Sequence, residues 1–282
     1  MSTLTCTGLA DRVAASTTLL FVPGDRPERF AKAEAAGADM VILDLEDAVA
    51  PEHKDAARDH VCAWLNDGHE CVVRVNAADT RWHIDDLAAV TASSCAVMLP
   101  KADEETAHAA TELTPHVIAL IETASGVLGA SAIAAVPGVQ RLALGTFDLA
   151  AQLGVDPNDR DALAAARGGL VLASAAATLP GPIDGVTANL DDEHALVSDV
   201  GYARRMGFLG KLCVHPRQVS PAAAALRPSA AEVSWAQSII EATNHGGVVV
   251  INGQMIDKPV LDRTHRILRR AANNGKHNER SA

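Results

Sequence analysis

Glu122 closes the apolar run Val117–Ile121, and Asp148 follows the run Leu142–Gly145 by three residues. Two carboxylates at adjacent strand ends, with coordination positions left open, suit a hard divalent cation such as Mg²⁺. The same spacing also fits two rim carboxylates that cap the helices after them. Arg74 lies in Val72-Val-Arg-Val-Asn76, and a guanidinium in an otherwise apolar strand is costly unless paired. It can grip a substrate carboxylate with two prongs. It can equally form an internal salt bridge to Asp44 or Glu46. Both hold at once if the bridge orients the fork.

Lys101 and Lys211 raise the question of an imine with a carbonyl substrate. Lys211 sits near the start of its strand rather than its end. Lys101 has Asp103, Glu104 and Glu105 as neighbours, which favour a protonated ammonium. Eleven histidines are scattered without His-x-x-His spacing, which argues against zinc. His215, before Pro216, reads as a structural histidine at a strand end. No Gly-x-Ser-x-Gly elbow occurs.

These residues need a frame. Short, continuously apolar runs alternate with Ala-rich stretches. The expected strands are Thr18–Val22, Met40–Leu43, Cys71–Val75, Ala96–Leu99, Val117–Ile121, Val139–Leu144, Ile183–Val186 and Gly210–Val214. The expected helices are Pro27–Ala36, Pro51–Asn66, Ile84–Thr91, Asp103–Leu113, Gly126–Ala135, Asp161–Leu179 and Glu193–Met206. Strands apolar on both faces are those that helices cover. Eight β/α units predict an α/β fold, a (β/α)8 TIM barrel. A doubly wound sheet would need a Gly-rich turn after the first strand, and Pro23-Gly-Asp-Arg-Pro27 has one glycine. In a barrel the site lies at the C-terminal strand ends. That rule gathers Asp44, Glu46, Asp47, Arg74, Asn76, Lys101, Glu122, Asp148, Asp184 and His215 on one rim.

The expected organisation is an N-terminal extension (residues 1–16), the barrel (17–227), a C-terminal arm or lid (228–272) and a disordered tail (273–282). In the arm, Pro221–Pro228 reads as a connector, Glu232–Thr243 as a helix, Val248–Ile251 as a short strand, Asn252-Gly253 as a turn and Pro259–Ala271 as a final helix.

Composition narrows the classes. The 282 residues are 48% hydrophobic and 21% charged, ordinary for a packed core. A net charge of −11 with 3% aromatics lacks the basic footprint and stacking platforms of a nucleic-acid binder. Five dispersed cysteines without a Cys-x-x-Cys pair read as reduced thiols. Neither a secretory signal nor an 18-residue apolar span is visible, so the expectation is a cytoplasmic protein away from membranes.

Taken in order, the motifs resemble citrate lyase β-subunit-like acyl-CoA lyases of the HpcH/HpaI aldolase superfamily. The matching segments are Leu20-Phe-Val-Pro-Gly-Asp-Arg-Pro27, Asp44-Leu-Glu-Asp-Ala-Val49, Arg74-Val-Asn76, Leu99-Pro-Lys101, Ile121-Glu-Thr123, Gly145-Thr-Phe-Asp-Leu149, Gly207-Phe-Leu-Gly-Lys211, Val214-His-Pro216 and Gly253-Gln-Met-Ile-Asp-Lys-Pro259. One departure is Phe147, where relatives often carry a second acidic residue.

The resemblance implies a Mg²⁺-dependent lyase. It would cleave or form a 3-hydroxy-carboxyacyl-CoA, such as citramalyl-, malyl- or citryl-CoA, with an acyl-CoA and a 2-oxo acid as the products of cleavage. It makes Glu122 and Asp148 the metal ligands, Arg74 and Glu122 the substrate contacts, and Arg74 a catalytic residue that adds fixed positive charge on the reacting oxygens. Asp257 becomes the catalytic acid/base, delivered by the arm to a neighbouring subunit of a homotrimer. Glu46 and Asp47 would orient metal-bound water. The alternatives are a thioesterase acting on the same CoA esters, or a subunit of a citrate lyase complex.

Overall fold

The computed structural model describes residues 8–91, 93, 95–243, 249–251 and 254–278. The chain forms two compact units, divided between Ala225 and Leu226.

The first unit is built on β1 (Thr18–Pro23), β2 (Met40–Asp44), β3 (Cys71–Arg74), β4 (Cys95–Leu99), β5 (Val117–Ile121), β6 (Val139–Leu144), β7 (Ile183–Asp184) and β8 (Gly210–Cys213). Each pairs in parallel with the next, and β1 pairs with β8 to close the barrel. β2 to β5 are buried at every position. That is the pattern of strands with side chains inside the barrel and helices outside. Leu19, Met40, Ile42, Val72, Met98, Ile118, Leu120, Ile183 and Leu212 belong to one core cluster that fills the barrel.

The helices are α1 (Leu9–Ala15), α2 (Phe30–Glu34), α3 (Lys54–Asn66), α4 (His83–Val90), α5 (Glu104–Leu113), α6 (Ala124–Ala135), α7 (Thr146–Leu153), α8 (Ala164–Ala176), α9 (Glu193–Met206), α10 (Pro216–Leu226), α11 (Ala230–Thr243) and α12 (Lys258–Asn278). The (β/α)8 reading holds. Among the barrel's elements, α1, α7 and α10 depart from the sequence expectation. α1 occupies part of the N-terminal extension, and its Val13 joins the barrel core. Arg141, fully buried in β6, donates to the carbonyls of Val13, Ser16 and Gly181 and fixes this helix. Burial draws its pKa down to about 10, and the Asp39 carboxylate opposes that shift without overcoming it. α7 was not among the expected helices; it starts two residues after β6, where the sequence reading placed only a strand end. α10 covers most of the expected Pro221–Pro228 connector and holds Pro221 inside the helix. The following Ala222–Ala225 run is strongly helix-forming, and Val219, Ala222 and Leu226 are buried.

The second unit holds α11, α12 and the antiparallel pair β9 (Val249–Ile251) and β10 (Gln254–Ile256). α11 and α12 pack together, with Arg263 over the Trp235 ring at 4.8 Å and Arg270 Nη2 donating to Leu226 O at 2.6 Å. α12 runs to Asn278, into the stretch from 273 expected to be a disordered tail. A formed helix propagates by one hydrogen bond per residue and needs no apolar period to continue. The expected Asn252-Gly253 turn and residues 279–282 lie outside the described residues.

Candidate active site

Arg74 is the last residue of β3 and is buried. Its Nε and Nη2 donate to the two Asp44 carboxylate oxygens at 2.8 and 2.6 Å. Nη1 stands 2.9 Å from Glu46 Oε2 and 3.6 Å from Asp47 Oδ2. The guanidinium carbon also lies 4.9 Å from the centre of the Phe21 ring. Burial works against the charge, but the Asp44 carboxylate, then Glu46 and Asp47, outweigh it and hold the Arg74 pKa above its ordinary value. The internal salt bridge is therefore present, and Asp44 takes the two-pronged edge of the fork.

The loop after β2 is pinned from behind. Lys54, buried in α3, donates its Nζ to the carbonyls of Leu45 and Glu46 at 2.8 and 2.7 Å. Glu46 N donates in turn to Asp44 Oδ1 at 2.9 Å. Glu46 itself is buried. Its oxygens have Arg74 as a charge partner but no well-aligned hydrogen bond. Desolvation dominates, and its pKa is pushed up to about 8. Asp47 is exposed. The structure thus sets both residues, expected to orient metal-bound water, against the Arg74 guanidinium.

Glu122 follows β5 and is 3% exposed. It does not cap α6. Thr123 does that, its Oγ1 accepting from Gly126 N. Glu122 Oε1 accepts instead from Lys101 N at 2.9 Å. A β-carbon on Gly145 would lie 2.4 Å from Glu122 Cβ and 2.5 Å from Oε2. Glu122 therefore lies across Gly145, the residue before α7, and only glycine fits beneath it. Asp148 is exposed in the first turn of α7. Its charge reaches Glu122. Burial first, and then Asp148, push the Glu122 pKa up to about 7, although the Lys101 N–H opposes them.

Two carboxylates that repel one another, one of them half-protonated near neutrality, are a site a hard dication would relieve. Among the described residues no group of three His, Cys, Asp or Glu side chains is placed to hold a metal. A cation here would have two carboxylate ligands and fill its remaining positions with water or substrate oxygens, the coordination Mg²⁺ tolerates best.

The other expected residues are sorted by their surroundings. Lys211 is buried and pairs with Asp184 Oδ2 at 3.1 Å, while Arg167 Nε donates to Asp184 Oδ1. Its neighbour Leu212 points into the barrel core, so Lys211 points to the helix side, away from the rim. His215 Nδ1 accepts from Arg217 N at the start of α10, a structural role. Asp257 is in the second unit, exposed, with Oδ1 accepting from Val260 N at 3.2 Å as the cap of α12. The sequence reading missed Gly145 and Lys54. A lone glycine ending a strand was the available signal for the first. Nothing local announces a lysine that reaches back to loop carbonyls.

A parallel barrel with a carboxylate and arginine cluster at the carboxyl ends of its strands is the frame of a TIM-barrel enzyme. Residues 17–216 match the HpcH/HpaI aldolase/citrate lyase family, and the chain belongs to that family. It is 40% identical over 267 residues to the citrate lyase subunit beta-like protein of Mycobacterium tuberculosis, covering 92% of this chain and 96% of that one. It is 39% identical over 254 residues to a (3S)-malyl-CoA thioesterase of Cereibacter sphaeroides, covering 85% and 89%. The CitE protein of M. tuberculosis, solved with magnesium, acetoacetate and coenzyme A, superposes with a TM-score of 0.81 at 38% identity, over 92% of this chain and 99% of that one. A citrate lyase beta subunit of the same organism, solved with oxaloacetate and magnesium, gives a TM-score of 0.70 at 39% identity, over 77% and 100%.

Proposed function

We propose that this protein is a Mg²⁺-dependent carbon–carbon lyase. It acts on a 3-hydroxy-carboxyacyl-CoA of the citramalyl, malyl or citryl type, which it cleaves to an acyl-CoA and a 2-oxo acid or forms from them. The observation that carries this reading is Glu122 laid across Gly145 toward the Asp148 turn, on the rim that also bears Arg74. Glu122 and Asp148 would hold the ion. When bound, magnesium supplies fixed positive charge against the oxyanion that develops on the hydroxyl oxygen as the carbon–carbon bond breaks. Relatives solved with magnesium and 2-oxo acids support the assignment.

The chain's own residues supply the rest. Arg74, locked by Asp44, adds a pre-oriented cation to the substrate's carboxylate and hydroxyl oxygens. Asp257, exposed at the start of α12, serves as the acid/base. In cleavage a general base takes the hydroxyl proton as the carbon–carbon bond breaks, and Asp257 gives a proton to the α-carbon of the departing acyl-CoA; in synthesis Asp257 removes that α-proton. By family resemblance the arm serves a neighbouring subunit of a homotrimer.

One specific observation favours a second reading. Relatives with 38–39% identity are (3S)-malyl-CoA thioesterases. The same rim could direct water at the thioester carbonyl and release free thiol. Metal removal tests what both readings share. EDTA should abolish turnover of citramalyl- or malyl-CoA, and excess Mg²⁺ should restore it. Turnover that survives EDTA would contradict the reading.

A further inference from the structure

Lys101 adopts φ +48°, in the left-handed region that a β-carbon makes unfavourable. The strain coincides with a contact at the rim. The Lys101 N–H donates to Glu122 Oε1 at 2.9 Å, at the point where the chain leaves β4. The side chain is not committed in the same way. It is 45% exposed, and among the described residues the acidic oxygen within 4 Å of Nζ is Glu46 Oε1, at 3.8 Å. That separation is too long for a hydrogen bond. Arg74, by contrast, has already given Nε and Nη2 to Asp44 and has Glu46 and Asp47 beside Nη1. The Lys101 ammonium, with three donors and none of them in a hydrogen bond with a described side chain, therefore keeps more capacity in reserve than Arg74.

A 2-oxo acid approaching Glu122 and Asp148 brings its own negative charge to a strongly acidic rim inside a protein of net charge −11. A counter-charge must be local. We propose that Lys101 is a substrate-contacting, specificity-determining residue: its ammonium receives a carboxylate of the 2-oxo acid, while its left-handed backbone holds Glu122 in place. This rests on the lyase reading above.

Glycine separates the two jobs. Lys101→Gly keeps the N–H and adopts positive φ without steric cost, but removes the ammonium. Calorimetry would titrate the parent, Lys101→Gly and Lys101→Arg with Mg²⁺, with oxaloacetate in saturating Mg²⁺, and with coenzyme A. In Lys101→Gly, oxaloacetate should bind about tenfold more weakly, the loss of one charge-assisted contact. Its Kd for Mg²⁺ and for coenzyme A should match the parent's, and Lys101→Arg should recover most of the lost affinity. Parental oxaloacetate affinity in Lys101→Gly would overturn the proposal. So would a loss confined to coenzyme A, which would assign the ammonium to a CoA phosphate. A matching loss of Mg²⁺ affinity would also overturn it, since the residue would then act through Glu122 alone. A parent that binds neither Mg²⁺ nor oxaloacetate would overturn the lyase reading and this proposal together. A parent that binds both, with Lys101→Gly unchanged, would overturn the Lys101 assignment alone.

Discussion

Glu122 is buried, and the metal-ligand role proposed for it would require it to be ionised. Burial and the Asp148 charge raise its pKa to about 7, so below that pH a proton would compete with a metal held there. Mg²⁺ affinity should fall as pH drops from 8 to 6, and the binding heat should vary with buffer ionisation enthalpy, its slope giving the protons released on binding. Glu122→Gln and Asp148→Asn should bind Mg²⁺ far more weakly at every pH with little change in melting temperature. A pH-independent affinity would contradict Glu122 as a ligand. Arg74 calls for a different substitution. Removing its side chain would leave Asp44 buried and unpaired, at a cost of about 3–5 kcal/mol, so alanine would report folding as much as chemistry. Lysine keeps the charge and loses the two-pronged geometry. In Arg74→Lys, kcat/KM should fall by the equivalent of about 2–4 kcal/mol of transition-state stabilisation. Near-parental kcat/KM would make Arg74 a purely structural bridge.

At the scale of elements, the barrel strands were legible because strands covered by helices are written as unbroken apolar runs. Val117–Ile121 and Val139–Leu144 match their expected limits, and the others differ by a residue or two. What the runs conceal is short or non-local. α7, which carries Asp148, starts two residues after the end of β6 and was not among the expected helices. α1 is recognised through Arg141, whose partners Val13 and Ser16 lie more than 120 residues away. The same holds for Glu46, whose buried state depends on loop packing that no local pattern encodes. Asp257 shows the limit from the other side. Its place before α12 was readable, but a cap and an acid/base occupy the same position. Asparagine caps a helix as well as aspartate, whereas alanine costs about 1 kcal/mol. Asp257→Asn should therefore melt like the parent and bind substrate normally, with kcat reduced by orders of magnitude. Retained turnover in Asp257→Asn would leave this residue a cap and nothing more.

At the scale of the molecule, Glu122, Asp148 and Arg74 belong to the barrel unit, and Asp257 to the unit that begins at Leu226. If the arm serves a neighbour, each site draws on two chains. Mixing Asp148→Asn with Asp257→Asn subunits, once exchange is verified by mass, should then regain activity that neither shows alone. Mixed oligomers that stay inactive would place both residues in one chain's site or remove Asp257 from the chemistry. The central claim, carbon–carbon cleavage, is tested most directly by product stoichiometry. With Mg²⁺ and citramalyl- or malyl-CoA, the first products should be acyl-CoA and 2-oxo acid in equal amounts, with the thioester intact. Free thiol released without 2-oxo acid would contradict the lyase assignment and make the protein a thioesterase.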